Sequence, residues 1–106
     1  MLGAMPSIKI AKNSALSAPE CFEKIKQLLE NDKELRRLDP QYQCEFDSDQ
    51  LSGKATGSQF KASLNVTDSG AQGSQMEIIV DLPFHLTLVK GIVQKTLEKK
   101  VDQALS

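Results

Sequence analysis

The chain has 106 residues, a formal net charge of −1 and 40% hydrophobic residues. That length suits a single domain with one core that needs no covalent staples. The near-neutral balance, with a pI near 5.8, argues against nucleic acid as the partner, because nucleic-acid modules carry a basic excess. It argues equally against a polybasic membrane anchor. Two cysteines, Cys21 and Cys44, are too few for a disulfide framework. With no secretory signal, the expectation is reduced thiols and a cytoplasmic setting.

"MLGAM" is apolar but lacks the basic start and apolar run of a leader. Residues 1–4 read as a tag or an upstream start and are expected to be disordered, with Met5 as the natural beginning. Residues 5–106 read as one domain. "SIKIAKNS" then alternates Ile8 and Ile10 against Lys9, which predicts a short strand. "LSAPE" predicts a helix start, with Ser17 as N-cap, Glu20 three residues on and Leu16 able to staple against Cys21. Pro19 is tolerated in a first turn whose N–H groups lack intrahelical partners. Phe22, Ile25, Leu28 and Leu29 form the expected buried stripe, with Glu23, Lys24, Lys26 and Glu30 outside. "KELRRLDP" adds a turn, and Asp39-Pro40 ends it.

Four strand-like runs follow. "YQCEF" places Tyr42, Cys44 and Phe46 on one face; "LSGKA" places Leu51 and Ala55; "FKASLNV" places Phe60, Ala62, Leu64 and Val66; "MEIIVDL" places Met76, Ile78, Val80 and Leu82. The stretch "TDSGAQGS" reads as a long flexible loop. One apolar and one mostly polar face per run is the pattern of an antiparallel sheet covered on one side. After Pro83, the apolar residues Leu86, Val89, Val93, Leu97 and Val101 are spaced by three and four. They predict one helix over 86–105, about 30 Å long for roughly 20 residues. Leu88 and Ile92 widen the apolar stripe, so its first half is expected to be wedged between the sheet and the first helix. Lys90 and His85 interrupt the run, which is too short and too charged for a transmembrane segment.

The expected fold is therefore α+β: an antiparallel five-stranded sheet in the order β-α-β-β-β-β-α. One face is covered by two helices, including a long C-terminal helix. The first strand is expected beside the last, leaving 8–11 and 42–46 as edges open to a homodimer or to a partner segment.

No chemistry-bearing motif stands out. His85, the single histidine, has no nucleophile at a recognisable spacing and is expected to face solvent. Cys21 and Cys44 lie on apolar faces and read as small buried hydrophobes. Zinc would need about four convergent Cys/His ligands. Asp47 and Asp49 begin like a calcium loop, but Ser52 and Ser58 stand where glycine and glutamate are required. Gly53-Lys54 with Thr56 fails as a phosphate loop, since no helix follows. Asn65-Val66-Thr67 is a glycosylation sequon only in a secreted chain. Glu77 and Asp81 are expected to pair across strands with Lys54 and Lys61. No catalytic, metal-binding or cofactor-binding residue is assigned, and no cofactor is expected.

"PSIKIAKNSALSAPE", "LSGKATGSQFKASLNV" and "VDLPFHLTLVKGIVQKTLEKKVDQAL" together resemble the polyhydroxyalkanoic acid system proteins, small bacterial proteins linked to polyester storage granules. The resemblance covers nearly all of 5–105, including the Lys90-Gly91 step. Two of the family's features are absent. Asn13-Ser14-Ala15 stands where a histidine precedes "LS", and Cys44 or Phe46 takes the place of a tryptophan. The layout is also similar to a shortened helix-grip (START-like) domain, whose last helix lies over a curved antiparallel sheet. The resemblance implies a non-catalytic accessory protein at a granule or another apolar surface. The alternative is a small apolar-ligand carrier or a cyclase-like enzyme with a cavity beneath the last helix.

Overall fold

A computed structural model describes residues 7–58 and 60–105, without the side chains of Glu34, Leu35, Leu38, Phe84, His85 and Leu86. The expected tag at 1–4, the start at Met5 and the expected placements of the His85 and Leu86 side chains lie outside the described residues. In chain order the elements are β1 (Ser7–Ser14), α1 (Ala18–Asn31), the short α2 (Lys33–Leu38), β2 (Gln43–Asp47), β3 (Ser52–Thr56), β4 (Lys61–Asp68), β5 (Ser74–Asp81) and α3 (Lys90–Leu105). A 3-10 segment, Phe84–Val89, leads into α3.

The five strands form one antiparallel sheet in the order β1-β5-β4-β3-β2, so β1 and β2 are the edges. Short turns hold β2 to β5 as a meander. β1 joins its far side, with Ile8 opposite Val80 and Ile10 opposite Ile78. The stretch expected as a loop over 67–74 is shorter: β4 runs to Asp68 and β5 starts at Ser74. A 3-10 turn at Gly70–Gln72 is closed by the Ser69 N–H on the Gly73 carbonyl at 2.9 Å.

Alternation sorts the strands into an inner and an outer face. Inward lie Ile8, Ile10, Ala55, Leu64, Val66, Met76, Ile78 and Val80, all buried. Outward lie Lys9, Lys54, Lys61, Asn65, Glu77 and their neighbours. Glu77 pairs with Lys9 at 3.2 Å rather than with Lys54 or Lys61. The register explains this: Lys54 stands opposite Glu45 and Ser63, and Lys61 opposite Asp81.

α1 begins as its sequence predicts. The Ser17 hydroxyl accepts the Glu20 N–H at 3.3 Å and donates to the Glu20 carboxylate at 3.1 Å. Ala18, Cys21, Phe22, Ile25 and Leu29 are buried, while Leu28 is only half-buried at the edge of the stripe. The turn before it is pinned by two buried serines: Ser14 Oγ accepts the Leu16 N–H at 3.1 Å, and Ser74 Oγ donates to the Leu16 carbonyl at 2.9 Å. α1 ends at Asp32, and the Arg36 guanidinium on α2 caps its last turn by donating to the Glu30 carbonyl at 2.9 Å.

α1 lies across β2, β3, β4 and β5, whereas α3 rests against α1 and β1. That division corrects the reading of the C-terminal segment. It is not one helix from 86: α-helix begins at Lys90, whose N–H still reaches back to the Thr87 carbonyl in 3-10 fashion. The β-branched Thr87 and Val89 and the poor helix former Gly91 weaken an α start there. Nor is its first half wedged into the core. Leu88 is 96% exposed, Ile92 67% and Val89 38%. With α1 occupying the middle of the sheet, α3 buries Leu97 and Val101 in the core, with Val93, Ala104 and Leu105 partly buried against it.

Candidate functional site

Among the described residues, the buried polar side chains on the inner side hold the fold together. Lys12, inward on β1, pairs with Asp102 at 3.2 Å and Glu98 at 4.0 Å, tying α3 to the sheet edge. Lys100 meets the nearly buried carboxylate of Asp32 at 2.8 Å and ties α3 to the end of α1. Asp39 is fully buried, and its Oδ1 accepts the Gln41 N–H at 3.2 Å and the Ser58 hydroxyl at 3.0 Å. A Cβ at Gly57 would collide with that carboxylate, so glycine allows the β3–β4 turn to close on it.

Tyr42 donates its phenol to the Leu29 carbonyl at 2.8 Å, and its ring stacks on Phe60 with centroids 5.5 Å apart. Burial, and then the neighbouring Cys44 thiol, push its pKa far above the ordinary phenol value. Burial also raises the Cys21 and Cys44 thiols, with hydrogen bonds to Ser74 and Tyr42 opposing it. Both cysteines are therefore protonated near neutrality and poor nucleophiles. Cys21 is buried as expected; Cys44, on the edge strand β2, is only half-buried. Among the described residues no group of three or more His, Cys, Asp and Glu side chains converges as a metal site.

The inner face also carries small residues where a cavity could open: Gly53, Ala55 and Ala62. At Gly53 a ring occupies that space. A Cβ at Gly53 would lie 2.5 Å from the Phe46 ring. Phe22 from α1 meets Phe46 edge-on, with centroids 6.1 Å apart and planes at 81°. Depressions on the described surface include one on the outer sheet face, between Lys54, Lys61, Ser63 and Asp81, and one on the α1–α3 seam, between Lys24, Leu28, Lys100 and Ala104. The first sets the cross-strand neighbours Lys61 and Asp81 beside Ile79 on the outer face, and the lining of the second holds lysines with no carboxylate.

What remains unexplained by folding is the strip of Leu88, Val89 and Ile92. These are the large hydrophobic side chains the described structure leaves in water. Exposed apolar side chains grouped within five residues are a mark of a contact surface. The helical spacing also turns Lys95 and Lys99 outward beside Ile92, and both are exposed. The sequence held a signal for this strip: Leu88 and Ile92 are four apart and fall off the line of Val93, Leu97 and Val101. Together the two lines make an apolar arc wider than one neighbouring helix can cover. Among the described residues no helix is long and apolar enough to cross a membrane.

No family model matches the chain, and no curated protein matches it by sequence. Solved structures do resemble it in shape. TTHA0849 from Thermus thermophilus aligns with a TM-score of 0.60 at 11% identity, over 94% of each chain. The di-domain ARO/CYC protein BexL of the BE-7585A biosynthetic pathway aligns at 0.65 and 10% identity, over 95% of this chain, which spans 45% of BexL. A START superfamily protein from Mycobacterium smegmatis aligns at 0.50 and 12% identity, over 97% of this chain and 94% of that one. The chain thus shares the helix-grip fold of these structures. At such identities the likeness extends to the fold alone.

Proposed function

We infer that the protein is a non-catalytic binding or accessory protein that attaches to an apolar surface through Leu88, Val89 and Ile92. The observation that carries this reading is the exposure of Leu88 at 96% and Ile92 at 67%, which with Val89 are the exposed large hydrophobic side chains among the described residues. The resemblance to the polyhydroxyalkanoic acid system proteins makes a polyester storage granule the first surface to try. Co-sedimentation with polyester particles tests it. The native chain is expected to pellet. A Leu88→Asp, Ile92→Asp double variant is expected to lose at least about tenfold in partition, since burying each of these side chains is worth roughly 1.5–3 kcal/mol. Equal partition of the two chains would overturn the reading.

A second reading, a small apolar-ligand carrier or cyclase-like protein, is favoured by the fold class, since BexL is an ARO/CYC protein. It requires a cavity with polar groups free to act on a ligand. Tyr42, Asp39 and Lys12 are each committed to the fold instead. Saturable, one-to-one binding of an apolar fluorescent probe that survives the Leu88→Asp, Ile92→Asp change would favour this alternative.

A further inference from the structure

We propose that the surface met by this strip is an anionic phospholipid interface, read by Lys95 and Lys99. This rests on the reading that Leu88, Val89 and Ile92 are the contact residues, and it names what they contact. α3 has acids as well as lysines, but the fold sorts them. Glu98 and Asp102 are drawn to Lys12 on the edge strand, and Lys100 is drawn to Asp32 on the end of α1. Lys95 and Lys99, one turn apart and both exposed, are in none of the ion pairs found among the described residues. The outward side of the segment is therefore apolar at Leu88 and Ile92 and positive at Lys95 and Lys99, on a chain whose net charge is −1.

That combination selects among occupants. A bare hydrocarbon or polyester surface would use the apolar residues and leave the lysines idle. A lipid surface with negative headgroups uses both: apolar side chains insert at the headgroup boundary while lysine ammonium groups stay among the phosphates.

The test is flotation of the full chain with vesicles of phosphatidylcholine alone and of phosphatidylcholine mixed with phosphatidylglycerol. Preference for the mixed vesicles is expected to be roughly 25-fold, about fivefold for each lysine, and to fade as salt is raised. A Lys95→Gln, Lys99→Gln variant is expected to bind both vesicles equally while keeping its thermal midpoint. Equal binding of the native chain to both vesicles would overturn the role of the charge and leave the apolar contact standing. Binding to neither, together with a failure to partition onto polyester particles, would overturn the contact strip itself. A doubled mass in light scattering that Leu88→Asp returns to monomer would assign the strip to a second copy and overturn the lipid proposal.

Discussion

The two halves of the C-terminal segment have much the same appetite for an apolar environment and opposite fates. Leu97 and Val101 are buried against the core, and the pairs Lys12–Asp102 and Lys100–Asp32 hold their half of α3 on both flanks. Leu88 and Ile92 are as hydrophobic as either, yet stand in water. The difference lies in the neighbours. α1 takes the centre of the sheet, so α3 has a wall on one side only, and a residue is buried where a wall exists. Hydrophobicity proposes burial; topology grants it.

The sharpest way to break this comparison is to truncate one residue from each half. Leu97→Ala is expected to cost roughly 2–5 kcal/mol in urea unfolding, as for a buried leucine. Ile92→Ala is expected to stay within about 0.5 kcal/mol, as an exposed site should. Equal costs would mean that the first half is packed after all. Next in size is the ion pair that fastens the packed half. Asp32→Ala leaves the partly exposed Lys100 without this partner and is expected to cost roughly 1–3 kcal/mol, reduced from a fully buried pair by solvent at the lysine. No change in the urea midpoint would show that the packed half is held by Leu97 and Val101 alone.

Tyr42 gives a smaller effect with a pH signature. Its folded-state pKa lies above the ordinary value of 10.0, and those of Cys21 and Cys44 lie above 9.0. For groups raised on folding, the stabilisation is complete below the unfolded value and is lost as pH climbs towards the folded one. Stability should therefore decline from about pH 9 upward and not on these groups' account below it. Tyr42→Phe is expected to cost about 1 kcal/mol at neutral pH through the lost bond to the Leu29 carbonyl, and to flatten the decline above pH 10. An unchanged alkaline slope would assign the decline to other groups. The smallest effect belongs to the exposed half: a Cβ at Gly91 would meet nothing within 4 Å. Gly91→Ala is expected to raise stability by about 0.5–1 kcal/mol, and a loss in the thermal midpoint would contradict an open helical site there.

Most of the architecture is legible in the sequence. Alternation at Phe60, Leu64 and Val66 and at Met76, Ile78 and Val80 sets the strands and their inner face, and Ser17 with Glu20 sets the start of α1. The strand order follows from the need to place β1 beside an open edge. The candidate site is less legible: the spacing of Leu88 and Ile92 marks a second apolar line, but its exposure depends on where α1 sits, which no local pattern encodes. The same holds for Asp32, Asp39 and Lys12. Their partners lie on other elements, so nothing in their own neighbourhoods marks them as engaged.

The pairing of β1 with β5 has a consequence in time. Ile8 meets Val80 and Ile10 meets Ile78, so the sheet is completed by its first and last strands. The meander from β2 to β5 can zip through short turns, whereas closing β1 onto β5 spans most of the chain and carries the largest loop-closure cost. On a ribosome, β1 and α1 emerge with their apolar faces uncovered and wait for β5. Docking of the N-terminal strand is then the late event of folding, and Ile10→Val should speed unfolding while leaving the folding rate nearly unchanged. A folding rate that falls in proportion to the lost stability would place β1 in the nucleus instead.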